Sequence, residues 1–233
     1  MSVIYFSGSP KRGGGASLLL LEAARAEVPG ELWTLDAAGP PSPGGWDGFF
    51  RARAAVVSLP LYVDHLPAPL LEALELAAAE AAAIRREDPA RPLPRLYAII
   101  NNGFFEPEHC LAAAGALKLF CRDSGLEWSG ALMAGGGPVM SAAPGMFRRG
   151  LFPFGRIRRA VAAFAAKVGE LEPAGLTGVS LPMPRRLYLF MANCYWKSLA
   201  IRNRVPLKSL RGPVEGPGEP DARDVRGAEG MKE

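Results

Sequence analysis

The residues best suited to chemistry come first in the chain. Ser7-Gly8-Ser9-Pro10-Lys11-Arg12-Gly13-Gly14-Gly15-Ala16-Ser17 follows the apolar run Val3–Phe6 and precedes a leucine-rich stretch. Short hydroxyl side chains, unhindered backbone amides and the start of a helix converge there, with two cations at the mouth, a combination that suits a phosphate group. Ser9, Lys11, Arg12, Gly15 and Ser17 are the candidate ligands, and Ser17 is also placed as the N-cap of the helix. The alternative is a flexible strand–helix turn with no ligand.

The kind of phosphate is narrowed by what the loop lacks. A P-loop ends in Gly-Lys-Ser/Thr, whereas Gly15 is followed by Ala16-Ser17. A dinucleotide fingerprint needs a third glycine, and Leu18 stands there after Gly13 and Gly15. Asp36, about twenty residues on, could imitate the ribose-binding acid of that motif, or simply close the second strand.

Two later loops offer complementary chemistry. Leu59-Pro60-Leu61-Tyr62-Val63-Asp64-His65-Leu66-Pro67-Ala68-Pro69 is stiffened by three prolines and carries an aromatic side chain. Pro60, Leu61, Tyr62 and Val63 could wall a flat, largely apolar ring. Asn101-Asn102-Gly103-Phe104-Phe105-Glu106-Pro107 adds turn backbone, an amide and two aromatics, with Asn102, Gly103 and Phe104 as candidates for another side of the pocket. A Ser9–His65–Asp64 hydrolytic relay lacks a nucleophile elbow, and neither His109-Cys110 nor the sparse histidines make a catalytic pair or a metal cluster.

These loops must be positioned by alternating strands and helices, the pattern of a parallel sheet with crossover helices. Strands are expected at Val3–Ser7, Glu31–Leu35, Ala54–Leu59, Arg95–Asn101 and about Glu127–Ala134. Helices are expected at about Ser17–Ala26, Pro69–Arg85, Glu108–Asp123 and Arg156–Leu171. Leu70, Leu74, Ala77, Ala81 and Ile84 share one face of the second helix, and Ile157, Val161, Phe164 and Val168 one face of the fourth. Ala38–Gly48, with four Gly and three Pro, reads as a loop, and Gly135–Gly137 as a flexible one. Trp128, Trp196 and Phe164 read as core. Five strands so arranged form a doubly wound sheet, whose ligands bind at the carboxyl ends of the strands. The loops after the first, third and fourth strands are those described above.

Composition sets the remaining bounds. The 233 residues are 49% apolar and 21% charged, as in globular domains. A net charge of +4 is too small to argue for nucleic acid. Charge is unevenly placed, however: Arg185–Arg211 holds seven basic residues and no acidic one, interleaved with aromatics. An amphipathic helix is expected at Arg186–Arg204, packed on the domain, lying on a membrane surface or meeting a partner. Residues 212–233 read as a disordered tail. Three widely spaced cysteines suit free thiols in a reducing compartment. The immediate strand at the N-terminus and the lack of an apolar run of about 20 residues point to a cytoplasmic protein without an integral membrane segment.

Taken together, the Gly8–Ser17, Pro60–Val63 and Asn102–Glu106 segments resemble the bacterial flavodoxin-like NAD(P)H-dependent oxidoreductases, relatives of the NADPH-dependent FMN reductases. Gly125–Gly130, Gly135–Gly137, Met183–Tyr188 and Trp196-Lys197 extend the resemblance over roughly residues 2 to 206. It implies a flavodoxin-like FMN-binding domain over residues 1–180, a basic helical extension over 181–211 and the tail beyond. It also implies noncovalent FMN, its phosphate on the first loop and its ring between the other two. NADPH or NADH would be the electron donor, a small molecule or protein the acceptor, and a homodimer the assembly. Flavin carries such chemistry itself, so no catalytic side chain is expected. Two positions depart from the pattern. Phe105 replaces a proline, and Asp64-His65 replaces small polar residues, so that a carboxylate would disfavour negative charge on a ring beside it. The competing expectation is a non-catalytic binding or electron-transfer module on the same fold.

Overall fold

The structure is a computed structural model that describes residues 2–11, 15–35 and 45–211. The chain divides into two compact units at Met183/Pro184.

In chain order the first unit contains β1 (Val3–Ser7), α1 (Ala16–Glu27), β2 (Glu31–Thr34), α2 (Asp47–Arg51), β3 (Ala54–Pro60) and α3 (Ala68–Glu87). It continues with β4 (Arg95–Asn101), a 3₁₀ turn (Pro107–Cys110), α4 (Leu111–Ser124), β5 (Glu127–Ala134) and α5 (Gly137–Ala142). It closes with α6 (Pro144–Arg148), α7 (Gly155–Glu170) and β6 (Gly175–Val179). The strands form one sheet in the order β2-β1-β3-β4-β5-β6, every pair parallel. This is the flavodoxin-like doubly wound order, with its switch point between β1 and β3.

Period-two alternation assigns the strand side chains to two covered faces. Ile4, Phe6, Ala55, Val57, Leu59, Leu96, Ala98 and Ile100 face one way, into a core shared with Leu70, Leu74, Ala77, Ala81 and Ile84 of α3 and with α4. On the other face Tyr5 donates its hydroxyl to the Val28 carbonyl at 2.7 Å, and Tyr97 meets Phe164 of α7 edge-on at 6.1 Å. Ile157, Val161, Phe164 and Val168 are buried, as their spacing requires.

The sheet has six strands where five were expected. β6 escapes a sequence reading because Gly175-Leu176-Thr177-Gly178-Val179 has two glycines and exposes four of its five residues. It is an edge strand held by its ladder to β5, without a buried apolar run. The supposed loop to Gly48 gives way to α2, whose Phe49 and Phe50 are buried and whose neighbour Trp46 meets Phe49 at 5.4 Å and Phe6 at 5.8 Å. Aromatic burial outweighs the local turn propensity there. Asp36 and the rest of 36–44 lie outside the described residues.

The second unit contains α8 (Arg185–Arg202) and a 3₁₀ turn (Leu207–Arg211). Trp196, expected in the core, is 62% exposed. The expected tail, 212–233, lies outside the described residues. No described helix is long and apolar enough to cross a membrane.

Candidate functional site

All the candidate loops leave the sheet at its carboxyl edge, and hydrogen bonds chain them together. Gly8 N–H donates to Ser58 O at 2.8 Å across the switch point, and Ser58 Oγ donates to Ser17 O at 2.8 Å, tying β3 to the first turn of α1. Leu61 N–H donates to Asn101 O at 2.8 Å, Asn102 N–H to Ala134 O at 3.1 Å, and Gly137 N–H to Asn102 O at 2.9 Å. A β-carbon on Gly137 would lie 3.6 Å from Cβ of Ala16, so the loop after β5 returns to the start of α1.

The first loop begins with a close approach. A side chain at Gly8 would press 2.7 Å from Leu70 Cδ2. Ser9 is buried and its Oγ accepts the Lys11 N–H at 3.3 Å, forming a local turn; Lys11 is exposed. Gly15, not Ser17, is the N-cap of α1, and no side chain among the described residues caps the helix. Ser17 sits one residue inside and is buried, because Ser58 draws its carbonyl towards the sheet. No acidic residue stands in the first turn, so the positive end of the helix dipole is not countered locally. Arg12, with Gly13 and Gly14, lies outside the described residues.

The loop after β3 is a tight hairpin. Tyr62 and His65 exchange backbone hydrogen bonds at 3.0 and 3.1 Å around Val63 and Asp64, whose φ angles are +51° and +57°. Positive φ at both central residues is the geometry of a type I′ turn, normally given to Asn and Gly, and a β-branched residue there is strained. Val63 is wholly exposed and Tyr62 half exposed, while Pro60 and Leu61 are half-buried beside β4.

After β4, Asn102 builds the loop. It is buried; its Oδ1 accepts Phe104 N–H at 2.8 Å, and its Nδ2 donates to Glu106 O at 2.9 Å and lies 3.3 Å from Cys110 Sγ. The amide expected to face a ligand is thus engaged in shaping the backbone of Gly103 and Phe104. Phe104 is exposed and stacks on the His109 ring at 4.4 Å between centroids. Burial pushes the Cys110 thiol up to about 11, so it is neutral at this site.

Three features of this edge were not among the candidate ligands. Gly135–Gly137 is a hydrogen-bonded clamp rather than a flexible loop: Gly135 N–H reaches Val179 O at 3.0 Å and Gly136 N–H reaches Phe104 O at 2.7 Å. A β-carbon would fall 2.2 Å from Phe105 O at position 135 and 2.7 Å from Asn101 Nδ2 at position 137, and Gly136 has φ +81°. Ser58 is a buried hydroxyl in an otherwise apolar strand, which is a legible signal. Asn101, at the last position of β4, is buried, and its Oδ1 has no hydrogen-bond partner among the described residues. Such an atom is costly unless something supplies a donor. A groove of about 720 Å3 lined by Leu119, Cys121, Arg122, Leu126 and Trp128 lies near the opposite end of the sheet, away from this edge.

No family model and no curated protein matches the sequence. Among solved structures, the Trp repressor binding protein from Bacillus subtilis is similar over 72% of this chain and 97% of its own, at 14% identity and a TM-score of 0.51. The NADPH-quinone reductase protein from P. pentosaceus is similar over 71% and 98%, at 13% identity and a TM-score of 0.50. The likeness agrees with the strand order, and the fold is flavodoxin-like.

Proposed function

We propose that this chain is a cytoplasmic FMN-dependent oxidoreductase that takes electrons from NADPH or NADH and passes them to a small-molecule acceptor. One observation carries the reading: the loops after β1, β3, β4 and β5 meet at the switch-point edge beside a helix N-terminus with no side-chain cap among the described residues and no carboxylate in its first turn. That is where doubly wound sheets bind nucleotides. The first-turn amides of α1, with Ser9, Lys11, Arg12 and Ser17, would hold the phosphate; Gly15, lacking a side chain, leaves the approach open. Pro60–Val63 and Asn102–Phe104 would orient the ring, with exposed Tyr62 and Phe104 as its apolar neighbours. The unpaired Oδ1 of Asn101 is a buried acceptor at the same edge, a fit to a ligand that brings a donor. When bound, the flavin supplies the electron transfer, and the protein supplies binding, orientation and exclusion of water. The quinone reductase named among the similar structures belongs to this reaction class.

The test is direct. Purified protein mixed with FMN and freed of excess is expected to stay yellow, and NADPH or NADH to bleach it under anaerobic conditions. Protein that takes up no FMN, or holds it unreduced by both donors, contradicts the proposal and favours a non-catalytic module.

A further inference from the structure

Helix α8 carries an apolar stripe of a kind the proposed chemistry does not use. Leu187, Phe190, Met191, Cys194 and Ile201 follow the helical spacing i, i+3, i+4, i+7 and i+14, so they lie along one face. All are exposed, Phe190 at 64% and Ile201 at 66%. Tyr188 and Ala200, on the opposite side, are buried. An exposed apolar stripe of this length on a helix is ordinarily covered by another surface.

The borders of the stripe say what that surface is. Arg186 and Lys197, three turns apart, line one edge, and Arg202, three turns beyond Met191, lines the other. None of the three makes an ion pair with a described residue. No Asp or Glu occurs from 185 to 211, where seven basic residues stand. Tyr195, more than half exposed on the Arg202 edge of the stripe, adds an amphipathic ring of the kind favoured at lipid headgroups. Self-pairing about a two-fold axis would bring these like-charged borders together, which costs free energy, whereas an anionic bilayer pairs with every one of them. A spanning role is excluded for α8, since no described helix is long and apolar enough.

We propose that the α8 stripe docks this protein in the interface of an anionic lipid bilayer, with Phe190 and Ile201 among the acyl-chain boundary and Arg186, Lys197 and Arg202 at the headgroups. Docking through α8 stands or falls separately from the FMN reading.

The test uses the full chain and co-sedimentation with vesicles of equimolar phosphatidylglycerol and phosphatidylcholine, against vesicles of phosphatidylcholine alone. Binding is expected only to the anionic vesicles and is expected to weaken in high salt. Arg186→Gln with Lys197→Gln is expected to lower the partition coefficient by about fivefold per charge. Phe190→Ser with Ile201→Ser is expected to lower it at least about tenfold at an unchanged thermal midpoint, since both positions are exposed. Because Cys110 and Cys121 are buried, a polarity-sensitive dye can be placed on Cys194 alone, and its emission is expected to shift to the blue with anionic vesicles. Equal binding to both vesicle types, or wild-type binding by the Phe190→Ser/Ile201→Ser variant, overturns the proposal. So does a dimer in light scattering that this variant dissociates while neither protein binds vesicles, which assigns the stripe to a second copy.

Discussion

Asn102 Oδ1 accepts the backbone N–H of Phe104 at 2.8 Å, and through that bond a buried amide sets the conformation of the loop that ends β4. The same side chain donates to the Glu106 carbonyl at 2.9 Å. Asn102→Ala leaves a backbone donor and a backbone acceptor without these partners, so it is expected to destabilise the first unit by about 1–3 kcal/mol. Urea unfolding checks the loss. Binding of riboflavin and of FMN is expected to weaken together, because the role proposed for this loop is to orient the ring; an unchanged urea midpoint would assign Asn102 no part in shaping the loop.

The hairpin tip offers the opposite sign. Val63 has φ +51° and makes no buried contact, being fully exposed. Left-handed backbone costs an L-residue roughly 1–2 kcal/mol, and Asn tolerates it best after Gly. Val63→Asn is therefore expected to stabilise the protein by up to about 1 kcal/mol, read as a raised thermal midpoint. A lowered midpoint would show that the turn is held by contacts of the valine.

The sheet and its helices were largely legible. β4 and β5 have the expected limits, Arg95–Asn101 and Glu127–Ala134, because each contains an apolar run buried on both faces, Leu96–Ile100 and Ala131–Ala134. β6 was not legible, since a glycine-rich edge strand has no periodicity to read. At the site, the loops after β1, β3 and β4 could be found by their residue types and their place after strands. What Asn102 does could not, because its partners, the Glu106 carbonyl and Phe104 N–H, depend on how the chain turns. Gly135–Gly137 misled for a related reason: glycine signals freedom in sequence, yet here it marks contacts with Phe105 O and Asn101 Nδ2 too close for a β-carbon.

Burial makes stability fall in alkali. The Cys110 and Cys121 thiols are pushed from 9.0 up to about 11 and about 12, and the Tyr5 hydroxyl from 10.0 up to about 12, in each case chiefly by desolvation. Raised folded-state values mean that the unfolded chain loses these protons first, so stability is full below about pH 9 and declines as pH rises towards 11–12. Urea midpoints are expected to be insensitive to these groups near neutrality and to drop above pH 9; a rise there would contradict the sign. In the native state a thiol reagent should titrate Cys194 alone, and all three cysteines after unfolding.

Whether the loop after β1 and the start of α1 hold a phosphate is decided by paired titrations of the apoprotein with FMN and riboflavin. The two ligands share the ring and differ in the phosphate. FMN is expected to bind more tightly, and Arg12→Glu is expected to weaken FMN by about tenfold or more while leaving riboflavin nearly unchanged. Equal affinities in the wild-type protein, or equal losses for both ligands in the variant, would show that the loop holds no phosphate.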